Sequence, residues 1–129
     1  MDVSFLNNLI YIAGPITDGG KHSHLQTFRN IFNAMKIYGR LIRKGYTPIL
    51  PHFSYFYHSM VSNEFTHDDW LRLDFNYIAS CDHFLFIGPS KGSTKELEYA
   101  TSLAKAVYYD IDNVPDYPKT FTTFGVGDV

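Results

Sequence analysis

Four short apolar runs, each bounded by glycine, proline or polar residues, are spaced along this chain. Continuous apolarity of this length is typical of strands that are buried on both faces of a sheet. The stretches between the runs contain apolar residues at intervals of three and four, which predicts amphipathic helices. The predicted strands are LIYIA at 9–13, YTPIL at 46–50, HFLFIG at 83–88 and AVYYDI at 106–111.

Three helices are predicted between these strands. The first ends at Lys44-Gly45, a cation followed by a C-terminal glycine. The second begins at Thr66, where Asp69 completes a capping box, and the third covers about Ser93 to Lys105. The β-α-β-α-β-α-β order predicts an α/β fold of the Rossmann-like or flavodoxin-like kind, a parallel sheet flanked by helices on both faces. The apolar stripe of the first helix consists of Phe28, Ile31, Phe32, Met35, Tyr38, Leu41 and Ile42.

Two segments follow neither pattern. Residues 52–65 are rich in aromatic side chains but have no clear period, which predicts a loop or a broken helix. Residues 112–129 contain two prolines and again no period, so we expect an extended or partner-facing tail that includes Phe121 and Phe124.

Composition narrows the class of protein. A length of 129 residues suits one domain, 1–129, and a formal net charge of −2 gives no reason to expect nucleic acid as a partner. The longest apolar run near the start is too short to span a bilayer, and the first residues lack the basic region of a signal peptide. A single cysteine, Cys81, excludes an internal disulfide. We therefore expect a soluble cytoplasmic protein without a membrane partner.

Two acids lie on the apolar faces of predicted helices, Asp74 on the second and Glu96 on the third. An ionised carboxylate in such a place must be hydrogen-bonded, paired or directed into a wet cleft. Glu98, two residues after Glu96, falls on the opposite, solvated face. Two structural alternatives remain open. Glu96 would then be a first-turn acid that caps Ser93, and Asp74 a buried acid bonded to a tyrosine or a backbone amide.

Parallel sheets bind ligands at the carboxyl ends of their strands. Gly14-Pro15, Pro51-His52 and the turn from Pro89 to Gly92 occupy those ends. The stretch SKGST at 90–94 leads into a helix N-terminus, where free N–H groups and the helix dipole attract anions. Its hydroxyls and Lys91 predict a phosphate-binding turn, although the spacing of a Walker A loop is absent. The six histidines lack metal-ligand spacing, so neither a metal nor a cofactor is expected.

Three stretches resemble motifs of the nucleoside 2-deoxyribosyltransferase superfamily, which also contains nucleoside 5′-monophosphate N-glycosidases. IYIAGP resembles the first-strand motif and places Tyr11 beside the catalytic acid. DFNYIASCDHFLFIG resembles the D-x(7)-D element and places Asp74 at the active-site aspartate. SKGSTKE resembles the S/D-x-G-x-x-x-E turn and places Glu96 at the nucleophile.

The resemblance implies hydrolysis of the N-glycosidic bond of a (deoxy)nucleoside 5′-monophosphate by a homodimer or larger homo-oligomer. Glu96 would act at C1′ of the sugar, Tyr11 would orient Glu96, and Asp74 would handle the base or its proton. Ser90 stands where the transferases tend to carry an acid, which favours a 5′-phosphate. The predicted substrate-binding residues are Gly14, Pro15, His52, Ser90, Lys91, Gly92 and Ser93.

Three other functions stay open. One is a nucleoside 2-deoxyribosyltransferase, which exchanges bases between deoxynucleosides. Another is a protein that binds a nucleotide or an ADP-ribose-like ligand without turnover. The third, a purely structural interaction domain, leaves the inward acids unexplained.

Overall fold

The computed structural model describes residues 2–118 and contains one four-stranded sheet in which all paired strands are parallel. The strands lie in the order β2-β1-β3-β4, so the direction of winding reverses between β1 and β3. Such a reversal opens a crevice at the carboxyl ends of the strands. The predicted parallel α/β fold is confirmed. The strands are β1 (Leu9–Ala13), β2 (Thr47–Ile49), β3 (His83–Phe86) and β4 (Ala106–Tyr108).

Helices cover both faces of the sheet. Side chains alternate along β1, so Ile10 and Ile12 enter one apolar cluster while Tyr11 and Ala13 enter the other. The first cluster includes residues of α1, and the second includes residues of α3 and α4. Burial on both faces explains why the strands read as continuous apolar runs. The helices are α1 (His24–Arg43), α2 (Ser54–Met60), α3 (His67–Ser80) and α4 (Lys91–Ser102).

Side-chain caps fix where the helices begin. The capping box is present at the start of α3, with Thr66 Oγ1 accepting from the amide of Asp69 and Asp69 Oδ2 accepting from the amide of Thr66. The cap of α4 is Ser90, whose Oγ accepts from the amide of Ser93 at 3.0 Å. The helix thus starts earlier than predicted. Glu96 lies in its second turn and does not cap Ser93.

The apolar stripe predicted on α1 is buried only in part. The side chains that face the sheet include Thr27, Ile31, Ala34 and Leu41. The other half of the stripe points outward, and Phe32 is 62% exposed. The reason is geometric, because the stripe is wider than the surface that the sheet offers. The exposed members are Phe28, Phe32, Met35 and Ile42.

The two segments without a period fold in different ways. Within 52–65, a 3₁₀ turn (Pro51–Phe53) runs into the short helix α2, so the broken-helix prediction is confirmed. The described part of the tail packs on its own chain. Val114 is buried in the core, and the amide of Tyr117 donates to the carbonyl of Lys44 at 2.8 Å. Residues 119–129, with Phe121 and Phe124, lie outside the described residues.

Within residues 2–118, no helix has the length and apolarity that crossing a membrane requires.

Candidate active site

A cavity of about 820 Å³ opens at the carboxyl end of the sheet. Its walls come from the loop after β1, from residues 51–59, and from the starts of α3 and α4. Seven of the ten predicted site residues line it, and they come from the loop after β1, from α3, and from α4 and its cap. These seven are Gly14, Asp74, Ser90, Lys91, Gly92, Ser93 and Glu96.

Asp74 and Glu96 reach this cavity from two neighbouring helices, as the helical faces predicted. Glu96 is only 6% exposed. Tyr11 lies beneath it, fully buried, and its hydroxyl donates a hydrogen bond to Oε2 of Glu96. The Tyr11 ring stacks on Phe84 of the adjacent strand, with centroids 5.8 Å apart. The rigid sheet therefore fixes the hydroxyl that orients the carboxylate.

Burial dominates the electrostatics of this group. It raises the pKa of Glu96 to about 8, and the charge of Asp74 adds to the rise. Burial likewise raises the pKa of Asp74 to about 6. The hydrogen bond from Tyr11 acts in the opposite direction on Glu96, because it favours the charged form of that carboxyl, and the proximity of Glu96 and Tyr11 lowers the pKa of Asp74. The pKa of Tyr11 itself lies well above its ordinary value, since the ring is buried beside two acids. The pair thus retains a shared proton near neutral pH.

The turn before α4 is held by its own hydroxyls. Ser93 Oγ donates to the carbonyl of Gly88 at 2.8 Å, and Ser90 Oγ donates to Ser93 Oγ at 2.9 Å. A Cβ added to Gly92 would meet no atom within 4 Å, so the backbone there is open to a ligand. Lys91 is exposed at the first position of the helix. The turn therefore combines a helix N-terminus, an open backbone and a cation.

His52 and Pro15 are not among the residues that line the cavity. His52 is fully buried, and its Nε2 lies 3.2 Å from the carbonyl oxygen of Pro15. Burial lowers the pKa of His52 to about 4, so the ring is neutral. The ring thus lies behind the loop that carries Gly14 and Pro15, and the contact of His52 with substrate stays a prediction. Gly14 has no room for a side chain, since a Cβ would come within 2.5 Å of Ile87 Cγ1.

The cavity also contains residues outside the predicted catalytic and substrate-binding set. Asp18 belongs to the loop 16–22, and its Oδ1 accepts from the amide of Lys91 at 3.1 Å. His22 belongs to the same loop and also lines the cavity, with its Nδ1 3.0 Å from Nδ2 of Asn30 on α1. Tyr55 and Trp70 contribute aromatic walls. The aromatic richness of 52–65 was the available signal for Tyr55, whereas no local pattern marks Asp18.

Histidines from three segments line the cavity, namely His22, His24, His58 and His67. No group of three or more potential metal ligands occurs among residues 2–118. The described part of the cavity wall combines histidines and aromatic side chains with three carboxyl groups, those of Asp18, Asp74 and Glu96.

Comparisons with known proteins agree with this architecture. No curated protein matches the chain. Among solved structures, the 2-desoxiribosyltransferase from Leishmania mexicana is similar, with a TM-score of 0.52 and 20% identity over 78% of this chain. The match covers 61% of that chain, and at this identity it shows the fold alone. A family model described as a domain of unknown function, DUF4406, matches residues 8–109. The chain therefore belongs to the DUF4406 family.

Proposed function

We propose that the protein hydrolyses the N-glycosidic bond of a (deoxy)nucleoside 5′-monophosphate and releases the free base and a sugar 5-phosphate. One observation carries the proposal: Asp74 and Glu96 face one cavity, and the hydroxyl of Tyr11 donates a hydrogen bond to Glu96. The similarity of the fold to a deoxyribosyltransferase supports a nucleoside-type ligand.

The chemistry requires a carboxylate beside C1′ and a proton for the departing base, because the transition state resembles an oxocarbenium ion. In the first step an oxygen of Glu96 bonds to C1′ while the C1′–N bond breaks. The electron pair stays on the base nitrogen, which takes a proton from Asp74. Water then attacks C1′, the bond to Glu96 breaks, and Asp74 accepts the proton of the water.

Near neutral pH the shared proton lies mainly on Glu96, because its pKa of about 8 exceeds the pKa of about 6 of Asp74, so the first step begins from the form in which that proton has moved to Asp74. A carboxylic acid with a pKa of about 6 holds enough proton near neutral pH to protonate a leaving base. The hydrogen bond from Tyr11 favours the charged form of Glu96, which is the form that acts at C1′. Because the two acids share a proton, either can be ionised while the other carries it.

The turn at the start of α4 supports a phosphate on the substrate. The N-terminal dipole, the open backbone at Gly92 and the exposed Lys91 all attract an anion. A serine at position 90 adds no negative charge there.

Base exchange on an unphosphorylated deoxynucleoside is the second candidate. Asp18 favours it, because its carboxylate already accepts a hydrogen bond from the amide of Lys91 at the turn where a phosphate would bind. Like charges repel strongly in a partly buried site.

The experiment is base release from a panel of nucleosides and their 5′-monophosphates, followed by chromatography. We expect Glu96→Gln to reduce release at least about 100-fold. Glu98→Gln, which makes the same change on the solvated face of α4, should retain wild-type activity. Release only in the presence of an acceptor base would identify the transferase, and intact ligand recovered from a tight complex would identify a binding protein. Undiminished release by Glu96→Gln would overturn the mechanism.

We also propose that the chain acts in the cytoplasm as one domain and as a homodimer or larger homo-oligomer, without metal or cofactor. The exposed apolar half of α1 supports self-association, because a contiguous apolar surface of this kind is typical of interfaces.

A further inference from the structure

The loop between β1 and α1 places a carboxylate at the start of α4. Asp18 lines the cavity, and its Oδ1 accepts a hydrogen bond from the amide of Lys91, 73 positions away in the chain. Asp18 has a φ of 50°, a left-handed conformation that Asp and Asn tolerate better than most residues. A bond from the amide of His22 to the carbonyl of Thr17, 2.9 Å long, closes the loop behind it. The position of the carboxylate is thus defined by the loop backbone.

This contact changes what the helix N-terminus can offer a ligand. The amide of Ser93 is already bonded to Ser90 Oγ at 3.0 Å, and the amide of Lys91 is bonded to Asp18. A phosphate that approached the turn would find the amide of Lys91 already hydrogen-bonded and would meet the negative charge of Asp18. A hydroxyl, in contrast, could donate to that carboxylate without repulsion.

We propose that Asp18 is a specificity-determining residue, whose carboxylate competes with a 5′-phosphate for the N-terminus of α4. The proposal rests on the proposed function, because it takes the cavity as a nucleoside or nucleotide site. On this proposal, the preference between phosphorylated and unphosphorylated substrates depends on Asp18 and not on Ser90 alone.

Asp18→Asn is the sharpest test. Asparagine keeps an oxygen that accepts from the amide of Lys91 and tolerates the same backbone conformation, so only the charge is removed. Calorimetric titration with inorganic phosphate, 2-deoxyribose 5-phosphate and 2-deoxyribose separates the phosphate from the sugar and needs no knowledge of the base. Glu98→Gln removes the same charge from the solvated face of α4 and controls for net charge.

We expect Asp18→Asn to bind both phosphate-bearing probes at least about tenfold more tightly than the wild type, with no gain in the affinity for 2-deoxyribose. Equal phosphate affinity in the two proteins, no measurable phosphate binding by the variant, or an equal gain in Glu98→Gln would each overturn the proposal. The titrations do not involve turnover. An active Glu96→Gln variant would therefore refute the proposed mechanism and leave this result standing.

Discussion

At the scale of residues, the site is a chain of three groups that begins in the sheet. Tyr11 is immobilised between β2 and β3 in the register of the sheet, where it pairs with Ile49 and Phe84. Its hydroxyl reaches Glu96, which in turn interacts with Asp74. Each member changes the proton affinity of the next, so the three side chains function as a unit.

Tyr11→Phe tests this coupling. The hydrogen bond from Tyr11 lowers the pKa of Glu96, so its loss should raise that pKa further. Because the proposed mechanism uses Glu96 as a carboxylate, the acid limb of the pH profile of kcat/KM for base release should move upward by about half a unit or more. Tyr109→Phe, at an exposed position, is the matched control. An acid limb at the wild-type pH would show that Tyr11 does not tune Glu96.

Helical periodicity was sufficient to find both acids. Asp74 and Glu96 each share a face with apolar neighbours, and this is a local property of the sequence. Periodicity could not predict the position of Asp18 in the cavity, because its contact with Lys91 joins two segments that are far apart in the chain. The burial of His52 was equally beyond local patterns, since the order of strands alone does not say whether a side chain points into the cavity or behind its wall.

At the scale of elements, caps decide where the functional helices begin. The position of α3 was predictable because Thr66 and Asp69 have the spacing of a capping box. The start of α4 was not, because Ser90 and Ser93 are equally good N-cap residues by type. The structure uses Ser90, and the carboxylate of Glu96 consequently moves from the first turn to the second.

Thr66→Ala should lower the free energy of unfolding by about 1 kcal/mol, because it leaves the amide of Asp69 without its side-chain acceptor. Urea denaturation followed by circular dichroism measures the change. Thr101→Ala is the control, since Thr101 bonds only the carbonyl of Leu97 within its own helix. A loss no larger than that of the control would mean that the box does not contribute to stability.

At the scale of the molecule, the two ends of the sheet differ in what covers them. The amino end is covered by the described part of the tail, where the hydroxyl of Tyr46 donates to the carbonyl of Pro115 at 2.6 Å. The carboxyl end is left open as the cavity. Asp74 and Glu96 are buried at that open end, although burial disfavours their charged forms.

The stability of the protein should therefore depend on pH in a particular direction. The folded chain holds a proton on Glu96 up to a pH of about 8, whereas the unfolded chain loses it near 4.5. Since the folded state binds more protons in this window, the free energy of unfolding falls as pH rises from about 5 to about 8. Glu96→Gln should reduce this fall by about 1 to 3 kcal/mol, measured by urea denaturation at several pH values. Parallel pH curves for the two proteins would contradict the raised pKa.

The exposed face of α1 belongs to the same scale. Phe32→Glu places a charge in the middle of that face and should convert an oligomer to monomers, as measured by light scattering after size-exclusion chromatography. Leu103→Glu makes a similar change at an exposed apolar residue outside α1 and should leave the assembly intact. An unchanged mass for Phe32→Glu would place any interface elsewhere.

The location of Cys81 has a practical consequence. It is the sole cysteine of the chain, it is fully buried at the end of α3, and burial raises the pKa of its thiol to about 12. Thiol reagents should accordingly leave the native protein untouched. A fluorophore attached through Lys21→Cys, at an exposed position three residues after Asp18, would then label one place only and report movement of that loop as ligands enter.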